Sequence, residues 1–254
     1  MSLLSAAVLL IAVLAVSCST SGTSAGEEAV APSAGTAPPP PPAKGGETRV
    51  VVVGASDAVG YGADDPAGDA WPAVLERMVL PDGATIVNLG IPGATVATAL
   101  EQEVPAALAA EPDVVLVWLS VNDLLAQVPA ATFERQLGDL VRALRRNGAA
   151  RVLVGNTPPL DRLPIFLACQ ADPGCLGGAL PGPAVVEAAV ETYNASIDRV
   201  AAVEGADVVD LHALAGAARR TGTDSSLVGA DGFHPSTAGH RAIAGAFAET
   251  LRRH

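Results

Sequence analysis

From residue 49 onward, short apolar runs alternate with longer segments in which apolar residues recur every three or four positions. The runs at 49–54, 85–89, 113–119, 151–155 and 206–211 are rich in β-branched residues and read as strands. Segments 70–79, 96–110, 132–147, 184–203 and one from 236 to the C-terminus carry helical periodicity. Nearly continuous apolar strands separated by helices call for a parallel sheet covered on both faces. Right-handed crossovers then fold residues 49–254 into one α/β domain, a three-layer α/β/α sandwich around five parallel strands.

The first 48 residues do not belong to that pattern. Residues 1–17, MSLLSAAVLLIAVLAVS, are shorter than the roughly 20 apolar residues that cross a bilayer as a helix, and read as an export signal. The stretch Leu14-Ala15-Val16-Ser17-Cys18 resembles a bacterial lipobox, in which Cys18 would be lipidated and attach the protein to a membrane. Ala15 stands where leucine is commonest, and neither Lys nor Arg precedes the run, so plain secretion and an uncleaved anchor are the alternatives. Residues 19–48 are rich in Pro, Ser, Gly and Ala, with prolines at every position from 38 to 42, and should form an extended tether.

Charge and cysteine usage narrow the function further. The formal net charge is −12 and Lys44 is the only lysine, so there is no basic patch for nucleic acid. Cys169 and Cys175 flank a Pro-Gly turn in CQADPGC, which suits a small disulfide loop in an exported protein; two unrelated thiols are the other reading. The histidines at 212, 234, 240 and 254 are not close in sequence to either cysteine, so no metal set is expected.

In parallel α/β sheets, ligands bind at the carboxyl ends of the strands. There the chain places Ser56, the turn NLGIPGAT (88–95), SVND (120–123) and, after the last strand, DGFHP (231–235). On its own, GASDAVGYG around Ser56 admits either a serine nucleophile or a glycine-rich phosphate loop. The other loops separate the two. Acyl transfer needs a nucleophile, a base, a group that orients the base, and donors for the oxyanion. Asp231 and His234, three apart in a Gly-containing turn, can supply the orienting group and the base, while backbone N–H groups at Gly90 and Gly93 and the Asn122 side chain can supply donors. A short-chain dehydrogenase fits poorly: Ala58 stands where its turn wants the middle glycine, and a Tyr-x-x-x-Lys pair is impossible with Lys44 alone.

Taken in order, GASDAVGYG, NLGIPGAT, SVND and DGFHP resemble the four blocks of the SGNH/GDSL hydrolase family, over essentially the whole folded part. The resemblance implies a flavodoxin-like sheet and no cofactor. It implies Ser56 as nucleophile with its own N–H in the oxyanion hole, Gly93 and Asn122 as further donors, and Asp231 with His234 completing the triad. Two of the blocks depart from the family pattern: Ala55 precedes the serine and Asp57 follows it where Gly-Asp-Ser is usual, and Ser120 replaces a glycine. Altered hydrogen bonding around the nucleophile is the expected consequence. The expected function is hydrolysis of acyl esters, of lipids or acetylated glycans; the alternative is a cell-envelope binding module that keeps the fold without catalysis. Segment 158–183, with Leu163, Ile165, Phe166 and Leu167, is expected either to overhang the site and line an acyl pocket or to pack on the sheet edge as a surface loop. His212 is expected to follow strand five and His240 to lie on the last helix.

Overall fold

The structure, a computed structural model, describes residues 48–80, 83–171 and 181–253. The expected signal, the lipobox cysteine Cys18 and nearly all of the tether lie outside these residues. In chain order the elements are β1 (Arg49–Gly54), α1 (Pro66–Asp69), α2 (Trp71–Val79), β2 (Thr85–Asn88), α3 (Val96–Ala109), β3 (Val114–Trp118) and α4 (Val121–Leu125). They continue with α5 (Ala130–Leu144), β4 (Arg151–Gly155), α6 (Pro164–Ala171), α7 (Pro183–Glu204), β5 (Asp207–Val209), α8 (Leu211–Thr221) and α9 (Thr237–Leu251). The five strands form one parallel sheet in the order β2-β1-β3-β4-β5, as the alternation of runs predicts.

Strand residues alternate between two apolar layers. Val51, Val53, Val115 and Val117 pack with α3, α5 and α7, where Phe133 stacks on Tyr193 at 4.3 Å between ring centroids. Val50, Val52, Leu116 and Leu153 pack with α2 and α9, where Trp71 stacks on Phe247 at 4.5 Å. Burying one such side chain contributes roughly 1.5–3 kcal/mol, and a strand covered on both faces gains this at every position. That is why the central strands read as unbroken valine and leucine.

Helices α4, α6 and α8 depart from the sequence expectation, as does the four-residue α1. The last strand ends at Val209, because the Asp210 carboxylate accepts the Ala213 N–H at 2.8 Å and caps α8, which closes at Gly222 in the left-handed region (φ +70°). His212 therefore sits in the first turn of a helix. Segment 158–183 contains α6, started by Pro164, and SVND runs into the single-turn α4. Helices α1, α4 and α6 are too short for helical periodicity to stand out, while α8 begins inside the run expected as a strand to 211. Chain connections leave β1 toward β2 on one side and β3 on the other, so a crevice opens at the carboxyl ends of β1 and β3.

Candidate active site

Ser56 stands two residues beyond β1, on a turn closed by the Ala58 N–H to the Ala55 carbonyl (3.1 Å) and the Tyr61 N–H to the Ser56 carbonyl (3.1 Å). Its Oγ lies 2.9 Å from His234 Nε2, 178 residues along the chain. His234 Nδ1 lies 2.6 Å from Asp231 Oδ2, and Asp231 Oδ1 accepts the backbone N–H groups of Phe233 (2.9 Å) and His234 (3.0 Å). Partial burial would raise the Asp231 pKa, but the Phe233 N–H, the His234 ring and the His234 N–H outweigh it, and the net shift is downward. An ionised carboxylate can only accept, so Nδ1 is the donor and the Nε2 lone pair faces the Ser56 hydroxyl. Gly232, at φ +73°, reverses the chain between Asp231 and His234, and a Cβ there would come within 2.9 Å of the Ile165 nitrogen at the start of α6. Tyr61 and Phe233 flank the imidazole, with ring centroids 5.2 and 4.9 Å away.

The three expected donors occupy the same sheet edge in different states. Among the described residues no protein acceptor takes the N–H of Ser56 or of Gly93, whose φ is +80°. Asn122 Nδ2 donates to the Ala94 carbonyl at 2.9 Å, leaving its second N–H uncommitted to protein. Asn122 lines the same cavity as Ser56; Gly93 lies on the β2–α3 turn and is not among that cavity's lining residues.

Four buried polar residues support these groups; Ser120 and Asp123 belong to SVND and His240 to the last helix, whereas Glu103 lies in no motif. Asp123 accepts the Val96 N–H with both carboxylate oxygens (3.2 and 3.1 Å), tying α4 to the start of α3 beside Asn122; desolvation raises its pKa to about 6. Ser120 holds φ +130°, in the region that favours glycine, which accounts for the glycine usual at this place. Such a conformation costs about 1–3 kcal/mol, and the 2.8 Å bond between Ser120 Oγ and Thr157 Oγ1 partly offsets it. His240 is fully buried, accepting the Trp71 N–H through Nδ1 (3.3 Å) and donating through Nε2 to the Tyr61 carbonyl (2.9 Å), and burial lowers its pKa. Glu103 projects from the apolar side of α3, and its Oε2 accepts the Gly54 N–H at 2.8 Å while Oε1 has no protein partner. Asp57 likewise has a buried Oδ2 without a partner. Desolvation raises Glu103 to about 8 and Asp57 to about 7. For Glu103 the visible sequence signal was a glutamate at an apolar position of segment 96–110.

A cavity of about 210 Å³ opens beside Ser56. Its walls come from Leu160 and Leu163 before α6, Trp118 of β3, Leu214 of α8 and Ile243 of α9. Of the four apolar residues expected there from segment 158–183, Leu163 lines the cavity; Ile165, Phe166 and Leu167 do not, and Leu167 is exposed. The wall's Arg219 is paired with Asp161 at 2.7 Å. Cys169 is buried on α6; its expected partner Cys175 lies outside the described residues. Among the described residues no group of three His, Cys, Asp or Glu side chains could hold a metal ion.

Comparison with known proteins places this geometry in context. The model of the GDSL-like lipase/acylhydrolase family matches residues 52–242. Esterase TesA of Pseudomonas aeruginosa is 30% identical over 192 residues, covering 74% of this chain and 80% of the esterase. A crystal structure of TesA superimposes with a TM-score of 0.62 at 25% identity, over 81% of this chain and 98% of that one. The lipase/acylhydrolase of Enterococcus faecalis shares the fold with a TM-score of 0.62 at 21% identity, over 80% of this chain and 95% of its own.

Proposed function

The chain belongs to the GDSL-like lipase/acylhydrolase family and is an ester-bond hydrolase, and from that premise we propose that it works through an acyl-enzyme on Ser56. The observation that carries the proposal is the continuous hydrogen-bonded chain Ser56–His234–Asp231 at the mouth of an apolar cavity. Ser56 Oγ attacks the ester carbonyl carbon as its proton passes to His234 Nε2. The oxyanion so formed is met by the N–H groups of Ser56 and Gly93 and by the Asn122 amide. Its collapse breaks the C–O bond, and Nε2–H protonates the departing alcohol. A water then gives its proton to Nε2 and attacks the acyl-enzyme, releasing the carboxylic acid and restoring Ser56. Asp231 keeps the ring in the reactive tautomer and stabilises the imidazolium.

The cavity supports an aliphatic acyl group over an acetylated sugar. Most of its lining residues are apolar, with Leu, Pro, Ala, Val, Ile, Trp and Phe among them, and Arg219 is committed to Asp161. Arg162, Asp224 and Ser225 are the other polar side chains on the α6 and α8 side, whereas a glycan needs many polar partners for its hydroxyls. The sequence further supports an exported domain attached through a lipidated Cys18; loss of fatty-acid labelling in Cys18→Ala tests that part.

Hydrolysis of a series of aryl esters from acetyl to dodecanoyl, with phosphonate labelling of Ser56, tests the whole reading. Turnover that peaks above acetyl and disappears in Ser56→Ala is expected. Absence of turnover on every ester, or full rate in Ser56→Ala, would return the protein to the non-catalytic binding module.

A further inference from the structure

The buried carboxyl of Glu103 has no part in the proton transfers above, yet it touches the backbone that delivers the nucleophile. β2 pairs with β1 only as far as Asn88 opposite Val52, while β1 runs on to Gly54. The Gly54 N–H therefore extends past the end of the neighbouring strand, and α3 fills the gap with Glu103 Oε2 at 2.8 Å. Gly54 is boxed on its other sides, since a Cβ there would come within 3.1 Å of the Ala58 Cβ and 3.3 Å of the Trp118 carbonyl oxygen.

Packing alone does not explain a glutamate here. The other buried residues of α3 are Val96, Ala99, Val104 and Ala107, and Glu103 is 1% exposed with one carboxyl oxygen unpartnered. An apolar side chain would fill the space without an unpartnered oxygen, but it would leave the Gly54 N–H without its acceptor, so the glutamate is there for that one bond. A second unpartnered carboxyl oxygen, on Asp57, lies in the same turn as Ser56, and the Asp57 charge acts on Glu103. Among the described residues the buried unpartnered polar atoms are these two carboxyl oxygens and the indole nitrogens of Trp71 and Trp118, so both unpartnered oxygens belong to the surroundings of the nucleophile.

We infer that Glu103 is a positioning residue for the reaction: by holding the Gly54 N–H it fixes the exit of β1, and with it the placement of Ser56 Oγ and the Ser56 N–H. The inference rests on the reading of Ser56 as nucleophile. Glu103 acts as a hydrogen-bond acceptor, so a neutral amide oxygen of the same length serves in its place.

The experiment compares wild type, Glu103→Leu, Glu103→Gln and Ser56→Ala in the full-length protein on one aryl ester, with circular dichroism and melting temperature for each. Glu103→Leu should lower kcat about 10- to 100-fold with KM within about threefold, the scale of a misplacement near 1 Å. Glu103→Gln should restore kcat to within about threefold of wild type. Should leucine prevent folding, Glu103→Ala carries the same expectation. Wild-type kcat in the folded leucine or alanine variant overturns the inference, as does an equal loss in the glutamine variant, which would make the charge or the exact packing responsible. Full activity in Ser56→Ala would instead sink the acyl-enzyme reading itself, whatever Glu103 does.

Discussion

The His234 ring is oriented from within four residues, whereas the strand exit that leads to the locally closed Ser56 turn is also held from across the fold. Asp231 accepts the Phe233 and His234 N–H groups and the His234 ring, all at most three positions away, and its side chain is 44% exposed. Behind Ser56, the supporting partners are Glu103 on α3 and, for the neighbouring α4 turn, Thr157, Ala94 and Val96. The Asp231 carboxylate is satisfied locally and near solvent, while the Gly232 carbonyl of the same turn accepts the Ile165 N–H at 3.2 Å. The nucleophile side is buried, holds Ser120 at φ +130°, and leaves oxygens of Asp57 and Glu103 without partners. Within one site, the base is oriented mainly by its local sequence and the nucleophile's strand exit by a tertiary bond, and the nucleophile side carries the strained Ser120 backbone.

Breaking each half separately should have effects of different size. Ser56→Ala removes the nucleophile, and Asp231→Asn leaves the geometry but upsets the tautomer, so each should lower kcat by about 10⁴-fold or more in steady-state ester hydrolysis. Asn122→Ala removes one oxyanion donor and should lower kcat by about 10²- to 10³-fold with little change in KM. If it raises KM alone, Asn122 binds substrate and does not stabilise the oxyanion.

Smaller effects probe the cavity and the strained side. Leu214→Trp narrows the wall formed by α8 and should shift the preferred acyl chain to shorter lengths, with about a tenfold loss on the longest ester and little on acetyl. An unchanged chain-length profile would place the acyl group elsewhere. Ser120→Gly should keep kcat within about twofold and raise stability by up to about 1 kcal/mol in thermal unfolding, because glycine adopts φ +130° freely while the Thr157 bond is lost.

Stability should also depend on pH in a definite direction. Desolvation raises Glu103 from 4.5 to about 8, so across that window the folded state binds more protons than the unfolded chain. Its contribution to stability therefore falls as pH rises from about 4.5 to about 8. Glu103→Gln does not titrate, and its melting temperature should decline less between pH 5 and pH 8 than that of wild type. An identical decline would show that Glu103 keeps its ordinary pKa.

Much of the architecture was legible because both signals it depends on are local. The valine run of β1, the helical periodicity of segments 96–110 and 184–203, and Ser236 as the cap of α9 each point to one element without reference to the rest of the chain. The same holds for Asp231 and His234, whose spacing within one turn already defines their contact. Segment 158–183 was only partly readable. Leu163 reaches the cavity and Leu167 does not, and the other wall comes from α8, whose start hid behind a strand expected to run two residues past its end at Val209.

What the sequence determined by itself is therefore the parallel α/β frame and the set of polar residues that its strand ends deliver to one edge. Alternation and spacing are properties of the chain, and burial on both faces of a sheet leaves them visible. The tertiary structure alone decided the 2.9 Å approach of Ser56 to His234, the cavity wall from α8 and α9, and the Glu103 carboxyl on Gly54. Such contacts join positions tens to hundreds of residues apart, and their free energy depends on distance and desolvation, which are set only when the helices close over the sheet.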